Sequence, residues 1–169
     1  MGVQTYSIDG LHVEHFAPAE PGMACPLLFV HGSWGGSWMF QNYLTYLSNG
    51  GWNCYAMNLR GHYKSDKISL RGISQWEYAQ DVIRVAKTLP SSPVVIGFGM
   101  GAQIIQHAFT QKLSAVGAVF ISAKRPFVTS QEIPDYIREL PPLLTPSPLA
   151  PISDITPKSL AAMNALMAQ

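Results

Sequence analysis

Val94-Val95-Ile96-Gly97-Phe98-Gly99-Met100-Gly101-Ala102 is the stretch that decides the fold. A short continuous apolar run is what a strand buried on both faces requires. It leads into glycine at every second position, and then Ile104, Ile105, Ala108 and Phe109 recur at helical spacing. A strand that turns into a helix through closely spaced glycines implies that neighbouring backbone passes very near, because glycine alone has no Cβ to obstruct it. The helix is expected over residues 102–113.

The same grammar extends in both directions. Toward the N-terminus, Leu27-Leu28-Phe29-Val30 is another apolar run, ending in His31-Gly32-Ser33-Trp34-Gly35-Gly36. Phe40, Tyr43, Leu44 and Leu47 then mark a helix that Asn49-Gly50-Gly51 stops. Residues 52–59 read as a strand, and residues 60–66 as a polar loop. Ser74-Gln75-Trp76-Glu77 fits a capping box, opening a helix to about residue 89 with Ala79, Val82, Ile83 and Ala86 inward. Residues 115–121 form a further apolar strand. At the start of the chain, two short alternating runs flank Asp9-Gly10, the signature of a β-hairpin. Strands alternating with helices give an α/β fold: a mostly parallel sheet with an N-terminal hairpin and flanking helices.

Composition narrows the function classes. The chain has 169 residues, 47% hydrophobic and 12% charged, with a net charge of +1. That suits a well-buried core and leaves no basic face for nucleic acid. No apolar run is long enough to span a membrane. The first fifteen residues carry no hydrophobic signal core, so a cytoplasmic protein is expected. The two cysteines, Cys25 and Cys54, lie in strand-like runs and read as buried free thiols; neither has the spacing of a metal site. Texture changes late in the chain: eight of the 13 prolines lie between Pro126 and Pro157. Residues 1–122 are therefore expected as the core, and 123–169 as a proline-rich, cap-like tail with short helices near 132–140 and 156–167.

Four motifs carry a family resemblance. Leu28-Phe29-Val30-His31-Gly32 runs a strand into a His-Gly loop, and Gly35-Gly36-Ser37-Trp38 opens the first helix. Asn58-Leu59-Arg60-Gly61-His62 resembles the family's D-L-R-G-H-G loop. Gly97-Phe98-Gly99-Met100-Gly101-Ala102 stands at the nucleophile elbow, G-x-S-x-G. In this order and spacing the chain resembles the α/β-hydrolase superfamily, nearest its cofactor-free esterases, C–C hydrolases and hydroxynitrile-lyase-like enzymes. The resemblance implies a core carried through the family's sixth strand, with the last two strands beyond it lacking. It also implies no cofactor.

The resemblance assigns the site and exposes its gap. Gly97 and Gly101 flank the elbow, and the nucleophile position is Gly99, which has no oxygen to attack a carbonyl. The backbone N–H groups of Met100 and Ser33 are the implied oxyanion donors. His31 and Gly32 shape the loop after the strand. Trp34, Trp38, Phe98 and Met100 either line an apolar pocket or belong to the core. His62 reads as structural, His107 as surface or packing, and Asp66 and Asp81 as solvated. The family's catalytic histidine falls late in the chain, and no histidine follows His107. With a triad residue lost, only about 10³–10⁴-fold catalysis over water remains.

Three functions are compatible with this pattern. The chain is a non-catalytic or ligand-binding homologue taking a small apolar ligand. Alternatively, it is the N-terminal part of an active hydrolase completed by a partner or a further segment. The third is an active hydrolase with an unusual nucleophile such as Ser33. Residues 115–121 would form an apolar sheet edge, which either the proline-rich tail folds over or a second copy or another partner covers.

Overall fold

The computed structural model describes residues 2–123. The tail expected over 123–169, with its two short helices, falls outside this range but for its first residue. The described residues form six strands and three α-helices, in the order β1 (Val3–Ile8), β2 (Leu11–Phe16), β3 (Leu27–Val30), α1 (Gln41–Asn49), β4 (Cys54–Met57), α2 (Gln75–Thr88), β5 (Val94–Phe98), α3 (Met100–Thr110) and β6 (Gly117–Ile121). A 3₁₀ turn, Ser37–Phe40, leads into α1.

The strands make one sheet in the order β1-β2-β4-β3-β5-β6. The hairpin pairs antiparallel, with Ile8 opposite Leu11. Asp9 and Gly10 both have positive φ, 48° and 79°, the two-residue turn that matches the twist of the strands it joins. β2 pairs antiparallel with β4, and β3 pairs parallel with both β4 and β5. β6 joins β5 in parallel, from Val94 opposite Gly117 to Phe98 opposite Ile121.

Strand alternation divides the core into two layers. Leu28, Val30, Tyr55 and Met57 pack with Val82, Val85, Ile104, Ile105 and Ala108 of α2 and α3. Leu27, Phe29, Cys54, Ala56 and Ile96 point the other way, toward Phe40 and Leu44 of α1. Both faces of the central strands are thereby covered, as a parallel sheet demands. Glu77 closes the start of α2 as expected, its carboxylate accepting from the Ser74 N–H at 2.8 Å.

Some boundaries differ from the sequence expectation. β4 is shorter than residues 52–59 because β3 offers only four residues to pair with. Beyond Met57 the backbone turns to the hairpin, where the Asn58 N–H donates to the His12 carbonyl at 2.8 Å. α3 begins at Met100 rather than Ala102, since the turn before it is compressed into the single residue Gly99. It ends at Thr110, and Lys112 follows in a left-handed conformation. Phe109, in the last turn at the margin of the buried arc, is exposed. Cys54 is buried, and burial pushes its thiol up to about 12. Cys25 is half-buried and precedes β3 rather than lying in it, so its expected burial in a strand does not hold.

Candidate functional site

The elbow between β5 and α3 is built by contact. A Cβ on Gly101 would fall 2.2 Å from the Val30 carbonyl oxygen and 2.6 Å from that of His31. One on Gly97 would fall 2.6 Å from the backbone of Ala102. Glycine is thus enforced on both flanks by backbone that cannot move aside. Gly99 differs. It has φ 56° and ψ −114°, a conformation that strains an ordinary residue by roughly 1–3 kcal/mol. Yet the space around it is open, since its Cβ would meet only the Gly32 Cα, at 4.0 Å. The Gly99 N–H donates to the carbonyl of Ile121 at 2.9 Å, tying the elbow to the end of β6.

The loop after β3 lies against this turn. A Cβ on Gly32 would sit 2.9 Å from the Phe98 carbonyl oxygen. Ser33 follows, exposed, and Trp34 is half-buried with φ 63°. Three buried polar side chains hold the loop in place. The Nδ1–H of His31 donates to the Gly32 carbonyl at 2.8 Å, and its Nε2 accepts from the Leu59 N–H at 3.1 Å. The side-chain carbonyl of Asn58 accepts from the Ser37 N–H at 2.7 Å, and its amide donates to the Ser37 hydroxyl and the His12 carbonyl. The loop after β3, the loop after β4 and the hairpin are thus knitted into one unit.

With both ring nitrogens engaged by backbone, His31 has none left to act as a base. Burial pushes its pKa down to about 4, with the neighbouring His62 adding to the effect against the hydrogen bond to Gly32. His62 stands 5.2 Å away, ring centroid to ring centroid, and its Nδ1–H donates to the Arg60 carbonyl at 2.9 Å. Its pKa is also lowered, chiefly by burial. Both rings therefore stand neutral inside the fold.

A family profile described as the alpha/beta hydrolase family matches residues 27–168. The chain belongs to the alpha/beta hydrolase family. Among curated proteins, none matches it in sequence. Among solved structures, it is similar to the thioesterase domain from the curacin biosynthetic pathway, with a TM-score of 0.63 and 20% identity over 78% of this chain and 49% of that one. It is similar to a serine-to-glycine variant of the N-acyl homoserine lactonase AidH complexed with N-hexanoyl homoserine lactone, with a TM-score of 0.60 and 22% identity over 72% and 45%. Haloalkane dehalogenase DbeA from Bradyrhizobium elkani USDA94 gives 0.60 and 20% over 75% and 43%. At these identities the likeness is one of fold. The chain spans less than half the length of these hydrolase-fold structures.

Within the hydrolase fold, the expected site residues are partly gathered. Gly97, Gly99, Gly101, Met100, Phe98, Gly32 and Ser33 meet at the elbow and the loop beside it. Trp38 does not join the core: it is half exposed, while Met100 packs partly against the α2–α3 layer. Two open grooves lie elsewhere. One, about 190 Å³, runs between the hairpin and α1; the other, about 310 Å³, is lined by Asp9, Arg60, Asp66, Asp81 and Arg84 among others. Among the described residues, no three His, Cys, Asp or Glu side chains come together as a metal site, and no helix is long and apolar enough to cross a membrane.

Asp81 corrects the sequence expectation of a solvated carboxylate. It is fully buried in α2 and takes a two-pronged hydrogen bond from Arg60, with Nε at 2.6 Å and Nη2 at 2.5 Å. Arg84 stands 3.4 Å from the same carboxylate and bridges onward to Asp9 at the hairpin tip. The helical spacing of Ala79, Val82, Ile83 and Ala86 puts residue 81 about 150° round the helix from the centre of that face, so the pattern pointed it outward; the burial of Tyr78 and Val85 widens the covered arc toward it. Its partner lies 21 residues away in a loop, beyond the reach of local pattern.

Proposed function

We propose that this protein is a hydrolase-fold binding protein that receives a small apolar ligand at the elbow and does not cleave it. The observation that carries this reading is Gly99: it stands at the turn of the elbow, where it has no atom that can attack a carbonyl. Met100, as the first residue of α3, has a backbone N–H with no intrahelical acceptor. With the Ser33 N–H of the adjoining loop, it would cradle a ligand's carbonyl oxygen without help from any side chain. Trp34 and Phe98, the chain neighbours of Ser33 and Gly99, are the apolar side chains that would meet such a ligand. Ser33 gains no base from His31, whose two nitrogens are engaged, which counts against a replacement nucleophile.

The solved serine-to-glycine lactonase variant with its acyl lactone makes N-hexanoyl homoserine lactone the first ligand to try. Titration followed by NMR should move the amides of Ser33, Gly99 and Met100 while the lactone stays intact. Rapid lactone or ester hydrolysis by the purified protein would overturn the reading.

A second reading draws on β6. Val119, Phe120 and Ile121 are exposed, and among the described residues no strand pairs with its outer side. An apolar, uncharged edge of this kind favours pairing with another chain. A second copy or another polypeptide would then extend the sheet. Completion of that sort supplies no nucleophile at Gly99, so it adds to the first reading rather than replacing it.

A further inference from the structure

We propose that the imidazole of His31 is an acid-released latch: neutral, it joins the loop after β3 to the loop after β4 beside the elbow; protonated, it lets them part. The device is set by hydrogen-bond direction. A carbonyl oxygen only accepts, so Gly32 fixes the proton of His31 on Nδ1. A backbone N–H only donates, so Leu59 requires a bare Nε2. A second proton can go only to Nε2. It would set N–H against N–H at the Leu59 contact, 3.1 Å in the closed state, and place a charge in a fully buried ring.

Nothing nearby would offset that charge. His62 presents its ring at 5.2 Å, and Tyr78 of α2 packs against His62 at 5.9 Å. Lys67, on the same loop as His62, opposes a positive charge there. The Arg60 guanidinium is committed to Asp81. Among the described residues no carboxylate lies within ion-pair distance of either ring. The depressed pKa of His31, about 4, agrees with this setting and puts release in the acid range. The latch reaches the elbow through backbone: the carbonyl of His31 abuts Gly101, and Gly32 abuts Phe98. The inference does not depend on what the elbow binds.

Hydrogen exchange and imidazole ¹⁵N shifts of the full chain, from about pH 7 down to about pH 3.5, test it. At neutral pH the ¹⁵N shifts should report the Nδ1–H form of His31. On acidification the Leu59 amide, corrected for intrinsic exchange, should lose about tenfold or more of its protection. The amides of Phe29 and Ala56 in the central strands should stay protected, and Ser33 and Met100 should shift in step with Leu59. His31→Gln presents an acceptor that cannot titrate, so it should hold Leu59 protected throughout. An Nε2–H form at neutral pH overturns the latch. So does unchanged Leu59 protection at the acid end, loss of protection in step with Phe29 and Ala56, or an unaltered acid response in His31→Gln. If that variant does not fold, the wild-type shifts and exchange still decide.

Discussion

Three glycines in five residues do two different jobs, and single substitutions separate them. At Gly101 a Cβ would collide with two carbonyl oxygens of β3 and its loop, and at Gly97 with the first turn of α3. Gly101→Ala and Gly97→Ala should each cost roughly 2–4 kcal/mol in urea unfolding or prevent folding, since backbone cannot yield as a side chain can. Gly99→Ala meets open space and should cost only the strain of its φ, roughly 1–2 kcal/mol. His31 gives a second residue-scale outcome. Unfolded, it takes up a proton near 6.5; folded, it resists protonation down to about 4. Its contribution is therefore full above about pH 6.5, falls as the pH drops toward 4 and is level below, about 3 kcal/mol in all. Denaturant unfolding across that window checks it. The glycine spacing was legible in the sequence because it answers a local need of strand and helix. The two engaged nitrogens of His31 were not, because one partner lies 28 residues away at Leu59.

Among the elements, the join between α2, the hairpin tip and the loop after β4 rests on one buried carboxylate. Asp81 is fully buried, while Arg60 keeps 24% of its side chain exposed. The two partners are therefore not equivalent. Removing Arg60 leaves Asp81 buried with only the longer Arg84 contact, so Arg60→Met should cost roughly 3 kcal/mol or more. Asp81→Asn leaves an arginine that can turn toward water and should cost less. Urea unfolding of both variants measures the difference, and the reverse order would refute the assignment. The existence and order of the elements were readable because apolar runs and helical periodicity report burial directly. Their ends were less so. β4 stops where β3 runs out of partners, and α3 starts where the elbow turns, both matters of register rather than residue type.

For the whole molecule, the sheet has unequal edges. β1 alternates in composition and closes through a tight hairpin. β6 presents Val119, Phe120 and Ile121 and carries no charge. Sedimentation should show concentration-dependent association, and Val119→Lys should weaken it; a wild-type monomer with no tendency to associate would contradict an exposed pairing edge. The hydrolase fold was legible because four motifs fall in register along the sequence, and the profile match over residues 27–168 bears it out. What the elbow does was legible only as a missing atom, since a ligand leaves no periodicity. The central claim is that the fold keeps the elbow and gives up the attack. Intact-mass spectrometry of the wild-type protein after incubation with a fluorophosphonate probe tests it most directly. The protein mass should be unchanged, while a stoichiometric phosphonyl adduct would show a working nucleophile and contradict the claim.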